Sequence, residues 1–309
     1  MKQENIATVY QRRDRRQTAL YVLVMLAIPT ACGWFVASWE GAVLAMTLPL
    51  FLIWVSPRLS PNLIMRMEGA IAAQGWQYSA LNALTLDLAA KADLKAAPQL
   101  YVHPSRMITA FAVGTDEDSA IALSRGALET LGRRELAGVL AHEIAHIAAE
   151  DSKLTVFSKL VYSTTSIASL VGLMLCVVLS LADAGIYLPF WLPIAFAIAP
   201  ICVNLLDLAL SRQREFAADT KAVELTRDPW GLVRALDAIR HQERSILRRV
   251  IGLAIPRGRS TWLRTHPPTE ERIERLVHIG RSDPDLVPLN RPALPPFRRP
   301  LFVRILRPS

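Results

Sequence analysis

The chain has few cysteines, and they fit neither a disulfide framework nor a cysteine-rich metal site. Cys32, Cys176 and Cys202 are odd in number, have no C-x-x-C spacing and lie in apolar segments. We therefore interpret them as small buried hydrophobic residues, which agrees with a reducing compartment.

Charged residues are missing from three long stretches. The range 18–39 has 22 residues without a charge, and the ranges 160–182 and 184–206 have 23 each. A helix needs about 20 apolar residues to cross the hydrocarbon core of a bilayer. A fourth segment, 41–56, has only 16 residues. It either crosses with local thinning of the bilayer or forms a re-entrant or interfacial helix. We count it as a crossing and expect an integral membrane protein with about four transmembrane helices.

Lysine and arginine are absent from the predicted turns between these segments. The turns at 40–41 and 183–185 contain neither residue, so all 35 lie in the N-terminal arm and in the ranges 57–159 and 207–309. By the positive-inside rule, the turns face outward and the basic regions face the cytoplasm. We expect a multi-pass protein of the cell (inner) membrane. This topology accounts for the net charge of +8, and because no nucleic-acid-binding motif is present, we expect no nucleic-acid partner.

One short motif carries recognisable chemistry. It is His142-Glu143-Ile144-Ala145-His146, an H-E-x-x-H sequence in a segment with helical preference from 133 to 150. Residues four apart lie on the same face of a helix, so both imidazoles can bind one divalent cation. Glu143 points to the side, about 100° around the helix from His142. It can contact a water at the metal without binding the metal itself.

A catalytic zinc site usually has three protein ligands, so one more is needed. The candidates are the other histidines and the acidic residues downstream: His103, His241, His266, His278, Glu150, Asp151, Asp207, Glu215, Asp219 and Glu224. We favour Glu215 and Asp219, whose spacing of four places them on one helical face. Glu215 can bind the metal while Asp219 accepts a hydrogen bond from a ligand histidine. The alternative is an ordinary polar helix face with ion pairs to Arg212 or Arg214.

Taken in order, these segments resemble the HtpX-like membrane zinc metalloproteases, which are relatives of the CAAX prenyl proteases. The resemblance rests on the H-E-I-A-H motif, on the segment R-E-F-A-A-D at 214–219 and on T-H-P-P at 265–268. It extends upstream to T-A-F-A-V-G at 109–114, where the family has N-A-F-A-x-G, and it covers the chain from the first apolar segment to about residue 279. Thr109 replaces the usual asparagine, which leaves a substrate-holding role of this position open.

The resemblance implies a single Zn²⁺ per chain, bound by His142, His146 and Glu215. Glu143 is then the general base that takes a proton from the attacking water. The family places the histidine of its H-P-P segment near the site. His266 therefore either stabilises the oxyanion that develops on the attacked carbonyl or only orders the loop before Pro267.

The predicted strand at 107–113 is the expected substrate-binding element. An extended peptide can pair with an edge strand through main-chain hydrogen bonds, which makes Ala110, Phe111 and Ala112 the expected contact residues. Alternatively, Phe111 only packs in the core.

We expect protein or peptide substrates, membrane proteins above all, and the lipid bilayer as a partner. By resemblance, the function is quality control of membrane proteins. The alternatives are a catalytically idle zinc-binding scaffold, a metal transporter or other metal-using membrane enzyme, and a prenyl-protein processing protease.

These observations predict a mainly α-helical membrane protein with a cytoplasmic, zincin-like α+β domain, whose small β-sheet lies next to the H-E-x-x-H helix. The site is expected on the cytoplasmic side, close to the membrane surface.

The expected parts are an N-terminal arm with two transmembrane segments (1–56), a catalytic part with the motif (57–159), a transmembrane hairpin (160–206), a helical part with the third ligand (207–282) and a Pro/Arg-rich tail (283–309). Strands are expected at 99–103, 107–113 and 120–124, and further helices at 80–94, 207–225, 232–255 and 270–278. The tail is expected to be extended or disordered.

Overall fold

The computed structural model describes residues 6–55, 60–182, 189–250, 269–283 and 285–287. At 6–15, 55 and 243–250 the description covers the backbone only. The chain forms two compact units. We call Leu59–Ser152 and Glu215–Ser309, with Met1–Arg12, the sheet unit, and Arg13–Arg58 with Lys153–Arg214 the apolar unit. Each is described separately.

Three helices are long and apolar enough to cross a membrane. They are α1 (Ile6–Val55), α6 (Asp151–Leu181) and α7 (Trp191–Thr226). Large apolar side chains such as Leu23, Leu181 and Ile201 are exposed along them, as expected for helices whose outer surface contacts lipid. The buried side chains between them include Met25, Phe157, Val161, Val203 and Leu210. The chain is therefore an integral membrane protein.

Helix α1 is interrupted by two non-helical residues, Ala37 (φ −146°, ψ 37°) and Ser38 (φ 51°, ψ −140°). The two halves approach each other closely, since a Cβ atom on Gly33 would lie 2.2 Å from the carbonyl oxygen of Gly41. Only glycine permits this contact. The break separates the first two predicted segments but precedes the turn expected at Glu40 and Gly41, and the number of crossings stays a prediction.

Helix α7 begins later than the apolar segment predicted at 184–206. Its first residue is Trp191, which places Pro193 in the first turn, where a backbone N–H needs no partner within the helix. The predicted helix after this segment is confirmed as the continuation of α7 to Thr226. The predicted turn at 183–185 lies outside the described residues.

The sheet unit contains a small mixed sheet. Its strands are β1 (Ile71–Ala72), β2 (Gln99–His103), β3 (Ala110–Gly114) and β4 (Ser119–Ser124), in the order β1-β2-β4-β3. Strands β2 and β4 are parallel, and the other pairs are antiparallel. Strand β3 is therefore an edge strand. It starts three residues later than predicted, because side chains occupy the preceding amides: Ser105 Oγ accepts from Met107 N at 3.1 Å and Gln242 Oε1 accepts from Ile108 N at 2.6 Å.

Seven helical elements accompany the sheet in the described part of this unit. They are α2 (Pro61–Met67), the 3₁₀ turn Trp76–Tyr78, α3 (Ser79–Lys91), α4 (Arg125–Thr130), α5 (Arg133–Ala148), α8 (Pro229–Val250) and α9 (Thr269–Ser282). The main core combines Ile121 and Leu123 of the sheet with Leu140, Ile144 and Leu276 of the helices. The expected mostly helical fold with a small sheet beside the motif helix α5 is thus observed.

Two boundaries in the C-terminal half differ from prediction. Helix α8 begins at Pro229 rather than 232, because Asp228 Oδ1 accepts a hydrogen bond from Gly231 N at 3.1 Å and so caps the first turn. The start of the Pro/Arg-rich tail was expected to be extended or disordered. Instead, Leu286 is buried in the main core and Val287 N donates to Arg227 O at 2.9 Å. Residues 284 and 288–309 of the tail lie outside the described part of the chain.

Candidate metal centre

Helix α5 presents the H-E-x-x-H motif from a firmly packed position. Most of its residues are buried, including His142, Ile144 and Ala145. Its first turn is tied to α8 by two ion pairs, Arg134 Nε to Asp228 Oδ2 at 2.5 Å and Arg234 Nε to Glu135 Oε1 at 2.6 Å. The direction of both histidine side chains is therefore fixed by the packing of the helix that carries them.

Three predicted ligands converge on one point. His142, His146 and Glu215 each offer a ligand atom, and these atoms all lie within 4.8 Å of one another. His142 Nε2 lies 3.1 Å from His146 Nε2 and 3.4 Å from Glu215 Oε2, and His146 Nε2 lies 3.7 Å from Glu215 Oε1. Metal–ligand bonds of about 2.0–2.2 Å in a tetrahedron separate the ligand atoms by about 3.3–3.6 Å. The donor set and its spacing therefore fit a tetrahedral metal ion.

Both histidines have a carboxylate on the ring nitrogen that faces away from the shared point. His142 Nδ1 lies 3.0 Å from Asp219 Oδ1, and His146 Nδ1 lies 2.5 Å from Asp151 Oδ2. Such contacts fix the tautomer and orientation of a ligand imidazole. The sequence analysis assigned this type of contact to Asp219, whereas it considered Asp151 only as a ligand candidate.

A single residue places Asp151 beside His146. Glu150 has a positive φ of 53°, which ends α5 and lets the chain turn so that α6 starts at Asp151. Non-glycine residues rarely adopt this conformation. The sequence offers no clear signal for it, because no glycine or asparagine stands at the turn.

Arg272 of α9 is the residue of the site that the sequence analysis missed entirely. Its buried guanidinium donates from Nε to Asp219 Oδ2 at 2.8 Å and from Nη2 to Asp219 Oδ1 at 2.7 Å, and Nη1 lies 2.9 Å from Glu215 Oε2. Arg272 shares the inward face of α9 with Leu276 and Ile279. An arginine at a core position of an amphipathic helix was the available signal, since buried charges need partners.

The charges of the site favour a cation. Burial and the nearby Arg272 lower the pKa of His142, but hydrogen bonds to Asp219 and Glu215 outweigh them and raise it to about 10. Burial alone would raise the pKa of Asp219, yet Arg272 and His142 hold it below its ordinary value. Burial lowers the pKa of Arg272, but Asp219, Glu215 and Glu143 raise it overall. Asp219 thus stays ionised, and in the absence of a metal the centre retains a proton on His142.

The remaining predicted residues occupy different places. Glu143 is half-buried on α5 between the two histidines. It lies near enough to Arg272 to help raise the pKa of that guanidinium. On β3, Ala110 and Ala112 pack toward the main core with α5, whereas Phe111 faces the other side of the sheet and packs against Met65 and its neighbours. His266 lies outside the described residues.

Comparison with known proteins gives consistent relatives. The chain matches Peptidase family M48 over residues 76–279. It is 31% identical over 315 residues to a Protease HtpX homolog of Lactobacillus acidophilus, covering 88% of this chain and 100% of that protein. It is 32% identical over 287 residues to a Protease HtpX homolog of Acidiphilium cryptum, covering 86% and 97%.

Among solved structures, Ste24p of S. mikatae matches with a TM-score of 0.41 and 16% identity, over 87% of this chain and 63% of that chain, less than two thirds of its length. The HtpX-like resemblance inferred from the sequence is confirmed by the relatives and the matched family. The chain therefore belongs to peptidase family M48.

Proposed function

We propose that the chain is a zinc-dependent endopeptidase that hydrolyses peptide bonds of proteins, with Glu143 as general base. The observation that carries the proposal is the convergence of His142, His146 and Glu215 at tetrahedral spacing, with Glu143 between the two histidines on the same helix. Glu143 is not one of the grouped ligands. A purely structural zinc site has no use for such a carboxylate, which argues against an idle scaffold.

Zinc fits this donor set best, because two imidazoles and one carboxylate leave one tetrahedral position open in catalytic zinc sites. When bound there, zinc would lower the pKa of a water toward about 7 and polarise the substrate carbonyl. Asp219 and Asp151 hold the histidines in the tautomer that offers Nε2 to the metal. Arg272 offsets the charge of the two buried acidic residues, Glu215 and Asp219.

The proton steps fall to Glu143. It takes a proton from the water that attacks the peptide carbonyl, then delivers that proton to the amine nitrogen as the C–N bond breaks. The oxyanion needs a donor besides the metal. His266 is our candidate for that donor, with an ordering role in its loop as the alternative.

Substrate binding is assigned to β3. Among the described residues, this strand pairs only with β4, through the register Ala110↔Leu123 to Gly114↔Ser119. Its outer edge can therefore accept an extended peptide as an additional strand. β3 also packs against α5, which carries His142 and His146.

The substrates we propose are membrane proteins, cleaved during quality control at the cytoplasmic face of the inner membrane. Glu215 lies on the same helix, α7, as an apolar segment of membrane-spanning character, and the positive-inside pattern of lysine and arginine supports the cytoplasmic side.

The decisive experiment compares the purified full-length protein with its Glu143→Gln variant on an unfolded membrane-protein substrate. The variant should bind zinc as the parent does but lose cleavage, and Glu129→Gln on the exposed face of α4 is the matched control. Equal cleavage by parent and Glu143→Gln would overturn the mechanism. Glu215→Ala should lower zinc content, and unchanged zinc would move the third ligand elsewhere.

A further inference from the structure

Most of the exposed large apolar side chains in the described part of the sheet unit lie in one stretch of the chain. Among its described side chains, the large hydrophobic residues with an exposed surface are Leu63, Met67, Ile71, Trp76 and Leu86. Four of these five lie within residues 63–76, where Met67 is 76%, Ile71 63% and Trp76 74% exposed. Single exposed hydrophobic residues are normal on a protein surface, but a local concentration indicates a contact surface. We call residues 63–76 the apolar ledge.

Helix α2 has apolar residues on its exposed face as well as on its buried face. Pro61 and Met65 are buried, and Met65 packs with Tyr101, Val113 and Ala122 on one face of the sheet. Leu63 and Met67 are four residues apart and lie two positions further on, about 200° around the helix. The helix is therefore apolar on its inward and outward faces alike. A helix that meets only water on its outer side usually has polar residues there.

Two further exposed apolar residues follow α2 in the rest of the ledge. Gly69, with φ 72°, ends the helical turn, and Ala70 N donates to Met65 O at 2.9 Å. Strand β1 follows and pairs with β2 at the sheet edge opposite β3, leaving Ile71 exposed. Trp76 then begins the 3₁₀ turn. The ledge thus joins three consecutive elements, each with an outward apolar side chain.

The ledge follows a membrane-spanning helix directly. Helix α1 ends at Val55 and α2 begins at Pro61, and six residue steps reach at most about 21 Å. Trp54 at the end of the span is itself highly exposed, and tryptophan is enriched where a membrane meets water. Arg66 and Gln74 provide exposed polar groups within the ledge, as in segments that lie at the boundary of headgroups and acyl chains.

We propose that the apolar ledge of the sheet unit lies in the lipid–water interface and contacts the bilayer as a peripheral surface, separate from the membrane-spanning helices. The occupant is lipid rather than a second copy of the chain, because the ledge follows the membrane-spanning helix α1 in sequence and ends at the exposed Trp76, a residue type enriched at membrane interfaces. The inference concerns membrane contact and stands independently of the peptidase activity.

Site-directed spin labelling of the full chain in phospholipid nanodiscs tests this proposal. Nitroxides are placed at Met67, Ile71 and Trp76, with Glu129 of α4 and Glu274 of α9 as exposed controls, after replacement of the three native cysteines by alanine. At the ledge, the ratio of collision with oxygen to collision with a water-soluble nickel chelate should be several-fold higher than at the controls. Equal ratios at ledge and control positions would overturn the proposal. Low collision rates with both reagents would also overturn it, because they indicate that the ledge is buried against protein.

Photocrosslinking gives a second measurement in the chain with its native cysteines. A benzophenone amino acid at position 67 or 76 should give adducts with the mass of phospholipid, and the same group at position 129 should not. Crosslinked dimers in place of lipid adducts would assign the ledge to a second copy of the chain and overturn the lipid contact. The absence of any adduct at positions 67 and 76 would likewise overturn it.

Discussion

Arg272 binds Asp219 through two parallel hydrogen bonds, Nε to Oδ2 at 2.8 Å and Nη2 to Oδ1 at 2.7 Å. Asp219 in turn contacts Nδ1 of His142 at 3.0 Å. One side chain of α9 therefore holds the carboxylate that orients a ligand on α5, and the same guanidinium reaches Glu215 on α7. The candidate metal centre thus joins residues of α5, α7 and α9, which are distant in sequence, besides Asp151 of α6.

Removal of this arginine should destabilise the protein. Arg272→Gln leaves the buried Asp219 and Glu215 with the protonated His142 in place of two positive charges, and breaking a buried ion pair costs about 3–5 kcal/mol. Thermal unfolding of the metal-free protein in detergent should show a clearly lower midpoint for this variant. The control is Arg125→Gln, which breaks an exposed pair with Glu129 and should cost under about 1 kcal/mol. Similar midpoints for the two variants would contradict the role of Arg272.

The carboxylate partner of His146 should tune metal affinity. Asp151→Asn removes the charge that fixes the His146 ring, and such changes weaken metal binding by about 10–100-fold. Competition with a chromophoric chelator measures the affinity, and Asp87→Asn, an exposed pair with Lys91 on α3, is the control. If Asp151→Asn bound zinc as tightly as the control, the contact would have no influence on the metal.

Zinc binding should release a proton well above neutral pH. The pKa of His142 is raised to about 10 in the metal-free centre, so the ring is protonated at pH 8 and must lose its proton to bind a metal. An ordinary histidine, with a pKa of about 6.5, would already be neutral there. Calorimetry at pH 8 in buffers of different ionisation enthalpy should therefore report release of about one proton from His142, in addition to the proton lost by a zinc-bound water whose pKa falls toward about 7. Zinc affinity should fall as the pH is lowered. Release of one proton or fewer per zinc at pH 8 would contradict the raised pKa of His142.

The glycine contact in α1 should tolerate no side chain. Gly33→Ala places a Cβ atom 2.2 Å from the carbonyl oxygen of Gly41, and overpacking of this kind costs about 1–3 kcal/mol. The thermal midpoint in detergent should fall for Gly33→Ala and likewise for Gly41→Ala. Val43→Ala, at an exposed position of the same helix, should change it little. Unchanged stability of both glycine variants would mean that the halves of α1 do not pack at this contact.

The sequence revealed the parts of the centre that depend on local periodicity. His142 and His146, and likewise Glu215 and Asp219, are pairs four residues apart on single helices, so their shared face follows from helix geometry alone. The two pairs meet in the structure as predicted. The apolar segments could also be predicted from the sequence, because a long run of uncharged apolar residues indicates a membrane environment.

Other parts were hidden because they depend on tertiary contacts. Arg272 stands at a core position of an amphipathic helix, but its partners Asp219 and Glu215 become known only from the packing of α9 against α7. The late start of β3 depends on Gln242, which lies 134 residues away. The position of Asp151 depends on the backbone of Glu150, which follows no turn signature.

The order of the ligands along the chain sets the order in which the centre can be assembled. His142 and His146 precede the apolar helices α6 and α7, whereas Glu215 lies near the end of α7 and Arg272 follows later still. A growing polypeptide therefore holds only two imidazoles while both apolar helices are being synthesised. The nascent chain cannot complete its cation site before the segments destined for the lipid have left the ribosome.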